Sequence, residues 1–106
     1  MGNFTKNSLK GRIAIVKYND RIVQLRFDRF GTMFWKMVKD GKELSGKEKV
    51  SHKHLNDGLF SISWIEKGGI CVNQLINLEN NTLSAVWQNL DSNDTSYASG
   101  NIKIIA

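Results

Sequence analysis

Turn-forming residues punctuate this chain about every ten positions. Asn19-Asp20, Asp40-Gly41, Asn56-Asp57-Gly58, Gly68-Gly69 and Asn80-Asn81 each separate two runs of β-branched, aromatic or alternating residues. Gly and Asn accept the positive φ of tight hairpin turns, and Asp is favoured beside them. Such spacing admits short strands joined by hairpins. No segment carries the apolar period of a helix, and there is no proline to interrupt a ladder.

Eight strands are predicted. Seven are clear runs: Arg12–Tyr18, Arg21–Asp28, Thr32–Val38, Leu59–Glu66, Ile70–Leu78, Thr82–Asn89 and Tyr97–Ile105. The polar stretch Glu43–Leu55 is expected to be an edge strand or partly loop. A chain of 106 residues allows one domain. Many short strands at this spacing make an antiparallel sandwich or barrel. The barrel is favoured, because closure removes exposed edges. Eight strands also leave an interior that side chains or one small ligand can fill. The expected fold is therefore all-β: a small eight-stranded antiparallel up-and-down barrel over residues 9–106, after an N-terminal extension at 1–8.

Charge is unevenly spread. Residues 1–54 hold 13 basic and 5 acidic side chains, whereas residues 55–106 hold 2 and 5. A basic half can bind nucleic acid or an anion, or simply solvate outer faces and guard strand edges. The single cysteine excludes an internal disulfide and a cysteine-rich metal site. Met1–Lys6 has no apolar core of a secretory signal, and no apolar run reaches membrane-spanning length. A cytoplasmic protein with no membrane partner is expected.

Period-two alternation places Phe60, Ile62, Trp64 and Glu66 on one face, with Ser61 and Ser63 on the other. The first face is apolar and should point inward, so Glu66 ends an inward row near the barrel mouth. A carboxyl beside an indole in a partly dry pocket is suited to general acid–base work. In the alternative, Glu66 is solvated in the hairpin and pairs with Lys67. Tyr18 shares a face with Ala14 and Val16, and its hydroxyl can hold a ligand or wet the rim. In the third strand, Met33, Trp35 and Met37 form one row and Phe34, Lys36 and Val38 the other. Either can face inward. Inside, Lys36 would anchor an anion; outside, it would be solvated.

His52 and His54 have same-face spacing, a two-histidine half-site with no further histidine to complete it. Metal binding is not expected. Cys71 is expected to be a small strand residue, with no histidine pairing to activate it. Phe27, Phe30, Phe34 and Trp35 interleave with Arg26, Arg29 and Lys36, a pattern shared by single-strand-binding sheets and by any aromatic core with a basic exterior. Nucleic acid is the disfavoured partner.

The segment Gly58-Leu59-Phe60-Ser61-Ile62-Ser63-Trp64-Ile65-Glu66-Lys67-Gly68-Gly69 resembles the Gly-x-aromatic-x-Val-Ser-Trp-x-Glu segment of two lipocalin-like (calycin) groups. One is the MoaF-like family, named for molybdenum cofactor biosynthesis protein F. The other, more distant, is the bacterial phenolic acid decarboxylases. The likeness spans roughly residues 9–104. The first group implies a small calycin barrel with an apolar cavity. The second implies cofactor-free loss of CO₂ from hydroxycinnamates, with the Trp-x-Glu glutamate handling the proton, two tyrosines spaced Tyr-x-Tyr and a third-strand arginine. Those positions fall here on Glu66, on Val16 and Tyr18, and on Lys36. Two of them lack the expected residue, and lysine does not reproduce the arginine fork. The MoaF-like likeness is the better one.

The expected function is binding of a small, largely apolar molecule inside the barrel, with a carboxylate-bearing ligand as one option. Tyr18, Trp35, Lys36, Phe60, Ile62 and Trp64 are the candidate ligand contacts, and Glu66 the candidate catalytic group. The alternatives are a cofactor-free lyase or isomerase using Glu66 as general acid/base, and an interaction module with a filled barrel and a basic face. No cofactor or metal is implied, and a homodimer is an option.

Overall fold

A computed structural model describes residues 8–106. Residues 1–7, which carry nearly all of the expected N-terminal extension, lie outside the described residues. Nine strands follow: β1 (Ile13–Lys17), β2 (Ile22–Phe27), β3 (Thr32–Lys39), β4 (Lys42–Lys49), β5 (Ser51–Asn56), β6 (Leu59–Glu66), β7 (Ile70–Asn77), β8 (Thr82–Asn89) and β9 (Thr95–Ile104). They form one antiparallel sheet in the order β4-β3-β2-β1-β9-β8-β7-β6-β5. The described residues contain no helix, and so none long and apolar enough to cross a membrane.

The extra strand comes from the polar stretch between β3 and β6. It is strand throughout, broken at Val50, and not the single edge strand or part-loop expected. The Val50 side chain is buried and its N–H donates to the Gly31 carbonyl at 2.8 Å. Before this anchor the chain pairs with β3; after it, with β6. β4 and β5 thus sit at opposite ends of the sheet, which curls until β4 comes back against β6. The result is a curled half-barrel.

Alternation fixes the inner face. Ala14 and Val16, then Val23, Leu25 and Phe27, then Phe60, Ile62 and Trp64 are all buried. A slip of one residue in any of these ladders would expose a whole row, so register is strongly held. Each buried Leu, Ile or Phe contributes about 1.5–3 kcal/mol relative to exposure. The β3–β4 hairpin closes on Asp40 and Gly41, both at positive φ (53° and 76°) between the paired residues Lys39 and Lys42. Few residues other than Gly, Asn and Asp fit such a two-residue turn.

β1, β3, β6 and β8 all finish at the same end of the half-barrel. That end carries the residues just beyond Lys17, Lys39 and Glu66. The opposite end is packed by Leu9 and Phe27, with the His52 ring set T-shaped to that of Phe27.

Candidate functional site

A cavity of about 320 Å³ opens at the first of these ends. Its walls are apolar: Val23 and Leu25 from β2, Met33, Trp35 and Met37 from β3, and Trp64 from β6. Trp87 of β8 closes a further side. The ladder explains why Trp35 faces inward. It lies opposite Leu25, while Lys36 lies opposite Gln24 on the outer face. The open choice between the two rows of β3 is thereby made in favour of Met33, Trp35 and Met37.

Polar groups stand at the rim and on the inner wall. Glu66 is half-buried and accepts a hydrogen bond from Trp64 Nε1 at 3.4 Å. The Tyr18 ring lies under the Arg21 guanidinium, 4.9 Å from its carbon, and Arg21 also lies 6.0 Å from the centre of the Trp87 ring. Cation–π attraction of this kind aligns Arg21 along the rim. Arg21 also pairs with Asp20 at 3.1 Å. Burial pushes the Tyr18 phenol pKa up, against the opposing pull of Arg21. The hydroxyl therefore stays protonated at neutral pH and can donate as well as accept. Lys39 stands exposed at the same rim. On the inner wall, Gln74 is 5% exposed and its Oε1 has no hydrogen-bond partner.

Tyr18, Trp35, Trp64 and Glu66 are therefore brought together around one cavity. Phe60 and Ile62 continue the Trp64 row deeper into the core and do not line it. Lys36 is not brought to it either. Its Nζ lies 3.3 Å from Glu43 Oε1 on the outer face, where both side chains are mostly exposed. An anion anchor inside the barrel is thus corrected to an exposed ion pair, because register with β2 turns Lys36 away.

Sequence reasoning missed Gln74, Arg21 and Trp87. The signal for Gln74 was present: a lone polar residue in the inward row Val72, Gln74, Ile76. Trp87 likewise shares the inward parity of Leu83 and Ala85.

The other candidates lie elsewhere. The His52 and Phe27 rings are T-shaped with centroids 5.6 Å apart, and His54 stacks on Phe60 with centroids 5.1 Å apart. The His52 pKa is lowered, first by burial and then by Lys10, with Asp28 pulling the other way. Among the described residues no three His, Cys, Asp or Glu side chains gather to hold a metal. Cys71 is free, partly exposed, and opposite Ile65 in the ladder. The aromatic and basic residues of β2 and β3 split between faces: Phe27 is in the core, while Phe34 lies outside under Arg26 at 4.1 Å.

A wider groove of about 900 Å³ flanks the cavity and shares Tyr18, Arg21 and Trp87 with it. β1 ends at Lys17 opposite Asn101, so β9 from Thr95 to Gly100 has no ladder partner on that side. The Tyr18–Arg21 turn fills part of this gap and leaves the rest open.

The profile of the MoaF-like family matches residues 10–103. No curated protein matches the chain. Among solved structures, one described as "a putative beta-lactamase from Burkholderia vietnamiensis" aligns over 92% of this chain and 95% of that one, with a TM-score of 0.79. Sequence identity is 15%, so this likeness shows the fold alone.

Proposed function

The chain belongs to the MoaF-like family, and from that premise we propose that it binds a small, largely apolar molecule at the open end of its half-barrel. The observation that carries this reading is the cavity of about 320 Å³ framed by Trp35, Trp64 and Trp87. Small-molecule sites are concave and mostly apolar, with a few convergent polar groups. Here those groups are Glu66, Tyr18, Arg21 and Gln74. A molecule of one or two rings suits the volume. A carboxylate on its outer end would meet Arg21 and Lys39.

Native mass spectrometry of protein purified gently from its host tests this reading. The expected spectrum carries a retained small molecule that is released on denaturation. Leu25→Trp, which fills the cavity, should abolish retention. Bare protein in both cases, with no binding from a panel of one- and two-ring compounds, would contradict it.

The second reading is a cofactor-free lyase or isomerase. The Trp64–Glu66 hydrogen bond favours it, because it orients a carboxylate at the cavity rim as an acid or base requires. Glu66→Gln that keeps affinity and abolishes turnover would favour the enzyme. The decarboxylase scheme gains no support: Val16 is fully buried where a tyrosine is needed, and Lys36 is on the outer face.

A further inference from the structure

The inner row of β7 bears on the chemistry of the ligand, an inference that rests on the cavity-binding reading above. Val72, Gln74 and Ile76 are all buried, and Gln74 is the one buried polar residue among those described. Its ladder neighbours are Ile62 and Ala85, whose side chains can donate nothing. Its Oε1 is shut off from solvent and unpaired. Buried carbonyl oxygens are paired as a rule, because an orphan forfeits its hydration without replacement. A leucine here would pack the same row without that penalty. Yet the residue is a glutamine, and it lines the cavity.

We propose that Gln74 is the specificity-determining contact of the site. Its ligand carries an N–H or O–H donor at its inner end, which docks on Gln74 Oε1 while the apolar body lies between Trp35 and Trp64. The geometry selects by gain. Oε1 is already closed to water in the free protein, so a ligand with the donor supplies a bond that solvent does not, while one of the same shape without it leaves Oε1 as unpaired as before. Sites built around a hydrogen bond reject such analogues far more strongly than apolar pockets reject a lost methylene.

Calorimetric titration with indole and indene tests this on the full chain. The two differ in replacing N–H by CH₂ and are otherwise of nearly equal shape. Wild type is expected to bind indole at least about ten-fold more tightly, the scale of one hydrogen bond to a buried acceptor. In Gln74→Leu, whose folding is checked by thermal melting, the two affinities should converge to within about two-fold. Gln74→Met, also apolar and unbranched, supplies the same comparison should the leucine variant not fold. Equal binding by wild type, or a preference that survives in the apolar variant, would overturn the inference and leave the cavity reading standing. No binding of either compound by wild type would overturn both.

Discussion

The Trp35 indole lies across the backbone of its ladder partner, Gly46. A Cβ placed at Gly46 would stand 2.6 Å from Cζ2 of that ring. The ring occupies this place because residue 46 has no side chain. From there its Nε1 donates to Glu48 Oε2 at 3.4 Å. One wall of the cavity is therefore positioned by an absence on the neighbouring strand. Gly46→Val is expected to displace the ring and to destabilise the fold by about 1–3 kcal/mol, as overpacking does. Urea denaturation measures the loss, and the Trp35 Nε1–H resonance reports the displacement. An unchanged midpoint with an unmoved resonance would show that Gly46 does not hold the ring.

Gln74 leads to a prediction of the opposite sign. Removing a buried, unpaired carbonyl from an apolar row should stabilise the ligand-free protein. Gln74→Leu is expected to raise the free energy of unfolding by about 1–3 kcal/mol. The same change should cost selectivity, a trade between stability and function. A loss of stability would mean that Oε1 is already satisfied in the free protein.

The Trp64–Glu66 hydrogen bond separates two substitutions at one position. Glu66→Gln keeps an acceptor for the indole N–H, so the stability and fluorescence of Trp64 should stay near wild type. Glu66→Leu leaves a nearly buried donor unpaired and should cost about 1 kcal/mol. Equal effects of the two would show that the bond contributes nothing.

Two groups with lowered pKa values contribute to the acid side of the stability profile. The folded pKa of His52 lies below its ordinary 6.5, so below that pH the unfolded chain binds the extra proton first. Its contribution is complete above pH 6.5 and is lost as pH falls through the folded value. Asp28 accepts from the Thr32 N–H at 2.9 Å and the Phe30 N–H at 2.8 Å, and the Thr32 bond is the main cause of its lowered pKa. Its contribution is present above its ordinary 3.8 and is lost at lower pH. His52→Leu should flatten the profile just below pH 6.5, and Asp28→Asn should flatten it only below 3.8. Denaturation midpoints across pH check both. A slope just below pH 6.5 that is unchanged in His52→Leu would contradict the first assignment.

Strands with one wet face were legible in the sequence. Val23, Leu25 and Phe27 alternate cleanly with polar neighbours, as do Phe60, Ile62 and Trp64 with serines, because water sits on one side only. β3 was ambiguous because Phe34 is apolar on the outer face, where Arg26 covers its ring. Only pairing with Leu25 tells Trp35 from Lys36, and pairing is non-local. β4 was obscured because its inner residues Leu44, Gly46 and Glu48 border the open side of the half-barrel, so little apolar surface is demanded of them. Glu66 and Trp64 were found from parity alone. Gln74 was legible by the same rule, as a break in an apolar row whose meaning appears only once the cavity is seen.

The interior of this half-barrel, and not its basic outer face, is the part proposed to take a small molecule. Titration of ¹⁵N-labelled protein with indole, followed by two-dimensional NMR, tests this most directly. Saturable shifts are expected, confined to the indole N–H groups of Trp35, Trp64 and Trp87 and to the amides around Gln74 and Tyr18. Saturable shifts centred on Phe34, Lys36 and Lys47, or none at the three indoles up to saturating indole, would contradict it.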